Sequence, residues 1–232
     1  MEGIRMDEEN VYFYYGTDNL ELDITIPINP SHPSQKKFEF GNGFYLSEYV
    51  NVAIDYARNG QLDRYLQNMN CENEEDIKRL INGDIYNVNI HRYLINKKNI
   101  VNDNKITRIC TDKFSYKKTI QDTIRGYKKD STYAPEYYYT YGLLCGEFWD
   151  NNIEDLDKYE NFEDECVKNM KKIVDDNGYE IDCIQLCLHK NKVAILKHEY
   201  VNINCEILKT DNEYLSIIND LFKAGDAVKS AI

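Results

Sequence analysis

Three groupings of residues in this chain are chemically suggestive. Along residues 182–189, Cys183, Gln185, Cys187 and His189 recur with the two-residue period of a strand and share one face. Cysteine and histidine are the usual ligands of zinc, but a single strand spaces successive members ~6.6–7 Å apart, too far to share one tetrahedral ion. No metal ligand is therefore assigned, and side chains satisfied by their neighbours are expected. The second grouping is the Gly41-Asn42-Gly43 loop. Glycine-rich loops can cradle phosphate with backbone N–H groups. This one is neither GxGxxG after a strand nor GxxxxGK[ST], which argues against a Rossmann or P-loop site and for a tight turn needing positive φ. The third is an excess of tyrosine, 20 in all, with Tyr137, Tyr138, Tyr139 and Tyr141 clustered after Pro135. Tyrosine surfaces suit flat rings and protein partners, although packing and composition account for most of the 20. No GxSxG elbow is present, no Cys–His pair carries a family signature, and the scattered His32, His91, His189 and His198 read as structural.

These residues need elements to hold them. Residues 10–15 (NVYFYY) read as a strand, broken by a turn at Gly16-Thr17-Asp18-Asn19. Residues 27–37 contain three of the four prolines and form a loop. In 38–47 (FEFGNGFYLS) the two glycines precede a strand-like stretch. Ser47 is suited to cap a helix with Glu48 in its first turn, and Tyr49, Val52, Ala53, Tyr56 and Ala57 mark one face of that helix, ending near Gly60. Two short helices are expected over 61–82, the second at 74–81. A half-buried strand is expected over 84–92, where Tyr86, Val88 and Ile90 alternate with Asn87 and Asn89, and a polar loop over 96–104. Residues 122–127 (DTIRGY) read as a short strand and 151–176 as charged helix. Residues 182–189 and 192–197 read as two paired strands, with Ile184, Leu186 and Leu188 toward the core. The end, from Asp211, reads as a helix with Tyr214, Ile217, Ile218 and Leu221 on one face. Mixed elements without regular βαβ alternation point to an α+β fold.

The chain has 232 residues, with 28 Lys plus Arg against 40 Asp plus Glu and a formal net charge of −12. Its length suits a single domain over 1–232, with a core at about 11–200 and a helical extension at about 211–232. At 42% hydrophobic it can bury a core. No run approaches the ~18 apolar residues of a membrane helix, which excludes an integral membrane protein, and the acidic start lacks a secretory signal. Seven cysteines, an odd number without a CxxC pair, fit reduced thiols and a cytoplasmic location. The net acidity gives no indication of nucleic-acid binding.

Residues 38–58 (FEFGNGFYLSEYVNVAIDYAR) resemble the bacterial domain-of-unknown-function family 3990, whose hallmark is DFGxGFYLT followed by a helix. Tyr14-Tyr15-Gly16-Thr17 is similar to that family's YHG[ST], residues 122–133 (DTIRGYKKDSTY) to its GYRADDSY block, and residues 183–196 (CIQLCLHKNKVAIL) to its GEQxxLxSxKAxxxL segment. The blocks occur in the family's order and span about 11–197.

The resemblance implies an ADP-ribosyltransferase-like split β-sandwich of two small sheets with flanking helices. It also implies NAD+ as substrate, mono-ADP-ribosyl transfer to an unknown acceptor macromolecule, and, as in related toxins, a small antitoxin partner. It assigns Tyr15, Gly16 and Thr17 to NAD+ binding, with Tyr15 standing where the family has His. It assigns Gly43, Phe44, Tyr45 and Ser47 to the second motif, with Tyr45 stacking nicotinamide. Gln185 takes the position of the transferases' catalytic Glu, and Lys128, with Lys129 beside it, is a phosphate contact. Asp130 reads equally well as a turn residue. A neutral Gln keeps a hydrogen bond to the ribose but loses the charge that stabilises an oxocarbenium-like transition state. The alternative is therefore a non-catalytic NAD+ or ADP-ribose binding module, or an interaction protein with a degenerate cleft. Glu147 and Glu180 are candidates to supply a carboxylate from elsewhere.

Overall fold

A computed structural model describes residues 10–17, 37–68, 87–174, 178–190, 195–204, 220, 222 and 228–229. The helix read at 74–81 and most of the loop at 27–37 lie outside these residues. So does the C-terminal helix, except for helical Asp220 and Phe222. The chain is mixed α+β. Its strands are β1 Asn10–Thr17, β2 Phe44–Ser47, β3 Asn87–Asn96, β4 Thr107–Cys110, β5 Tyr139–Leu143, β6 Lys172–Val174, β7 Glu180–Asp182, β8 Ile184–Leu188, β9 Ile195–Asn204 and β10 Val228–Lys229. Its helices are α1 Val50–Asn68, α2 Lys97–Val101, α3 Lys113–Tyr127, α4 Glu147–Asn152 and α5 Phe162–Lys168, with a 3-10 turn at Ile153–Lys158. Among the described residues no helix is long and apolar enough to cross a membrane. The chain forms two compact units.

The first unit comprises Met1–Val11, Ile26–Glu48 and Asn96–Ala194. Its strands run in the order β2-β8-β5-β4, with β8 antiparallel to both neighbours and β5 parallel to β4. β6 and β7 form a separate antiparallel pair. Because β8 is central, both of its faces are covered: Cys183, Gln185 and Cys187 are as buried as Leu186 and Leu188. The core gathers Phe40, Tyr116, Ile120, Trp149, Phe162 and Cys187.

Residues 122–127, read as a strand, are the last turns of α3. Asp112 starts this helix, accepting from the N–H groups of Phe114 (2.9 Å) and Ser115 (3.0 Å). Tyr116, Thr119, Ile120, Thr123 and Tyr127 are buried at helical spacing. A six-residue window cuts this period short, which is why the segment resembles a strand. The polar 96–104 stretch likewise contains α2, capped where the Asn96 side chain accepts from Asn99 N at 3.1 Å. The described part of 151–176 is only partly helical and includes β6 at Lys172–Val174.

The second unit comprises Tyr12–Thr25, Tyr49–Ile95 and Ile195–Ile232, with strand order β1-β3-β9-β10. The ten-residue β3 and β9 pair antiparallel from Asn87↔Asn204 to Ile95↔Ile195. This long match takes β9 away from β8, so the hairpin expected between 182–189 and 192–197 does not form. Helix α1 packs Ile54 and Ala57 on Val88, Ile90, Val201 and Ile203. It begins at Val50 and runs past Gly60 to Asn68, leaving Ser47 as the end of β2 rather than a helix cap. Val52, Ala53 and Ala57 are buried as expected, but Ile54 is buried too and Tyr56 is exposed. Strand β1 continues through Gly16 and Thr17, where a turn was expected. A partly buried ion pair ties β3 to β9: Arg92 Nη2 lies 2.7 Å from Glu199, and its guanidinium sits 4.0 Å from the Phe222 ring centroid.

Candidate functional site

The β2–β8 register pairs Phe44 with Leu188, Tyr45 with Cys187, Leu46 with Leu186 and Ser47 with Gln185. With a period of two, Tyr45, Ser47, Cys187 and Gln185 share one face. The turn leading into β2 is fixed from three sides. Gly41 has φ 88°, the left-handed conformation expected of this loop. Asn42 N donates to Tyr133 O and Asn42 Nδ2 to Thr132 O, both at 2.8 Å. Asn42 O accepts from His189 Nδ1 at 2.8 Å, which leaves His189 Nε2 to accept from the Thr140 hydroxyl at 2.8 Å. Burial holds the His189 pKa down to about 4, so the ring is a neutral strut. Gly43 is glycine for another reason: a Cβ there would lie 2.3 Å from Cys187 Sγ.

Tyr45 is half-buried and its ring is rigidly held. Its hydroxyl donates to Gly41 O at 2.7 Å and accepts from Phe40 N at 2.8 Å. The ring stacks on Phe38 and Phe40, with centroids 5.3 and 6.2 Å away. Burial pushes its pKa well above the ordinary phenol value, so it is a neutral group. The 122–133 block meets this turn. The Tyr127 hydroxyl accepts from Phe38 N at 2.7 Å and donates to Phe38 O at 3.0 Å. Lys128 follows as the exposed C-cap of α3, with Lys129 exposed beside it. Asp130 is a turn residue, accepting from Thr132 N and Oγ1, both at 2.8 Å. The first unit thus brings together Phe44, Tyr45, Ser47 and Gln185 on paired strands, with Gly43 just before β2, and packs the turn before them against the 127–133 segment.

The residue missed in the sequence is Glu39. It is buried, and four donors converge on it. The Tyr116 hydroxyl and Cys145 N (2.9 Å) donate to Oε1, and Gly146 N (3.3 Å) and Gln185 Nε2 (3.2 Å) donate to Oε2. Burial raises its pKa to about 7 against the lowering effect of these hydrogen bonds. Glu147 and Glu180, expected as alternative carboxylates, are exposed, so Glu39 is the carboxylate beside Gln185. The available signal was an acidic residue between two phenylalanines, at the Asp of the DFG hallmark.

In the second unit Tyr15, Gly16 and Thr17 follow one another along β1. Tyr15 is half-buried, with its ring centroid 6.2 Å from that of His91, and Thr17 is buried. Gly16 lies against α1: a Cβ there would sit 1.8 Å from Ala53 O. His91 and His198, far apart in sequence, meet across the β3–β9 pair with Nδ1 and Nε2 3.0 Å apart. Burial and the neighbouring imidazole lower the His91 pKa to about 3. Among the described residues no group of three His, Cys, Asp or Glu could hold a metal ion. Cys110, Cys145, Cys166, Cys183 and Cys187 are buried thiols, none in a disulfide.

No family model matches the chain, and neither a curated protein nor a solved structure matches it.

Proposed function

We propose that the chain binds NAD+ and acts as a mono-ADP-ribosyltransferase-like protein, with Ser47, Tyr45 and Gln185 at the nicotinamide–ribose bond. The observation that carries this reading is the register setting Ser47 directly opposite Gln185, two residues from Tyr45 on the same face. Tyr45 offers a fixed, neutral ring edge or face to nicotinamide, and Gln185 offers its amide to a ribose hydroxyl. Departure of nicotinamide builds positive charge on the ribose, as in glycoside cleavage. A neutral amide stabilises that charge less than a carboxylate, a deficit of ~10²–10³ in rate. Slow turnover is therefore expected, with ADP-ribose passing to an acceptor macromolecule, and a small antitoxin protein is the corresponding partner. The resemblance gives Tyr15, Gly16 and Thr17 a share in NAD+ binding and Lys128 a phosphate contact.

The second reading, a binding module without turnover, is favoured by the neutral Gln185. Nicotinamide release from NAD+, with and without cell lysate, separates the two. Slow release by the native chain, faster in Gln185→Glu, supports transfer. The variant is assayed above pH 8, because its new carboxyl would face Glu39 and the pair would hold a proton near neutrality. Saturable NAD+ binding without release supports the module. Absence of both binding and release refutes the proposal.

A further inference from the structure

The carboxylate beside Gln185 has a consequence for what that side chain can recognise. An ionised carboxylate only accepts hydrogen bonds, so the Gln185 amide must turn Nε2 toward Glu39. All four groups bonded to Glu39 are donors. The pocket is therefore built to complement the ionised form. Gln185 Oε1 makes no hydrogen bond among the described residues. Resting on the NAD+ reading above, we infer that Glu39 is a positioning residue that locks the Gln185 amide with its oxygen as the functional atom. The strand then reads a hydroxyl donor, the nicotinamide-side ribose, and that reading is controlled by the charge on Glu39.

The ordinary alternative is that Glu39 only staples the 38–47 segment to α3 and the chain before α4. Such a staple explains the bonds from Tyr116, Cys145 and Gly146. It does not require the fourth bond, from Gln185, nor a carboxyl that changes charge near neutral pH. The charge acts through the amide. A carboxylate accepting from Nε2 polarises the amide and strengthens Oε1 as an acceptor, as charge-assisted and cooperative bonds do. Protonation removes that assistance while leaving the packing in place. The groups facing Glu39 are the Tyr116 hydroxyl from α3, the Cys145 and Gly146 N–H groups before α4, and Gln185 from β8. Four thiols lie around the pocket: Cys110 on β4, Cys145 before α4, Cys166 on α5 and Cys187 on β8. Burial pushes the Cys110 thiol up to about 12 and that of Cys187 well above its ordinary value. The bond with Cys145, then burial, raises that of Cys166. Glu39 is the carboxyl of this pocket, and its charge changes between pH 6 and 8.

The test follows the Gln185 side-chain amide in the 15N-labelled full chain by NMR, assigned by its loss in Gln185→Met, from pH 5.5 to 8.5. A titration with a midpoint near 7, abolished in Glu39→Gln, is expected. In Tyr116→Phe, which removes one donor but keeps the ring, the midpoint should move upward, because that hydrogen bond lowers the Glu39 pKa. An amide that does not titrate, or titrates unchanged in Glu39→Gln, overturns the inference. NAD+ titration then gives the functional arm: affinity about tenfold higher at pH 8 than at pH 6, with no such change in Glu39→Gln. An NAD+ analogue lacking the nicotinamide-side ribose hydroxyls should lose the pH dependence as well. If the amide titrates as expected but NAD+ does not bind, the NAD+ reading fails while the coupling of Glu39 to Gln185 stands. If NAD+ binds with the same affinity at both pH values, control by Glu39 is refuted while the NAD+ reading survives.

Discussion

Replacing Glu39 by Gln should change how the stability of the first unit depends on pH. The carboxyl rises from an ordinary 4.5 to about 7 on folding, chiefly through burial. That difference is worth ~3 kcal/mol. Because the folded pKa lies above the unfolded one, the contribution is fully present below about pH 4.5 and is lost as pH rises through about 7. About 2.5 kcal/mol of it falls between pH 5 and pH 8.5. In Glu39→Gln this pH-dependent loss disappears. The substitution also carries a pH-independent cost of ~1–3 kcal/mol, because the new NH2 group faces the donors Gly146 N and Gln185 Nε2. Urea unfolding of both proteins at pH 5 and pH 8.5 isolates the effect. The stability advantage of the native chain over the variant should shrink by about 2.5 kcal/mol on going to pH 8.5. An advantage equal at both pH values within ~1 kcal/mol would refute the assignment of Glu39 as a buried, desolvated carboxyl.

Three other substitutions probe the frames of the two units, each by itself. Asp112→Ala removes the cap of α3 and should cost about 1 kcal/mol in urea unfolding, whereas Asp112→Asn should cost only a few tenths. Gly16→Ala drives a methyl into Ala53 O and should destabilise the second unit by ~3 kcal/mol or more, seen as early loss of circular dichroism on heating. Arg92→Ala leaves the buried Glu199 with Lys197 as its remaining counter-ion among the described residues, and should lower unfolding free energy by about 2 kcal/mol at neutral pH.

The α+β class and several strands were legible because their signals are local. The NVYFYY run, the alternation after Asn87 and the apolar stretch at 184–188 all became strands. The error at 122–127 arose because α3 shows its period only over the whole of Lys113–Tyr127. The pairing of β8 and β9 was misread because adjacency in sequence suggests a hairpin, whereas β9 pairs along β3 from Asn87↔Asn204 to Leu94↔Lys197 before a one-residue slip at Ile95↔Ile195. Gln185, Tyr45 and Ser47 were singled out from motif resemblance, and the β2–β8 register groups them. Their partner Glu39 was invisible to periodicity, because its neighbours Tyr116, Cys145 and Gly146 lie about 80 to 110 residues away in sequence. A buried carboxyl is explained only by the donors that converge on it, and those are brought together by tertiary packing. The histidines show the same limit. Read as scattered, His91 and His198 lie in contact once the β3–β9 register is formed.

The central claim is that this chain binds NAD+ through the β2–β8 pair. Calorimetric titration of the full chain with NAD+ at pH 8, alongside Gln185→Met, tests it directly. Saturable binding of one NAD+ per chain, weakened in the variant while its fold is retained, is the predicted result. Absence of saturable binding by the native chain, or equal affinity in Gln185→Met, would contradict it.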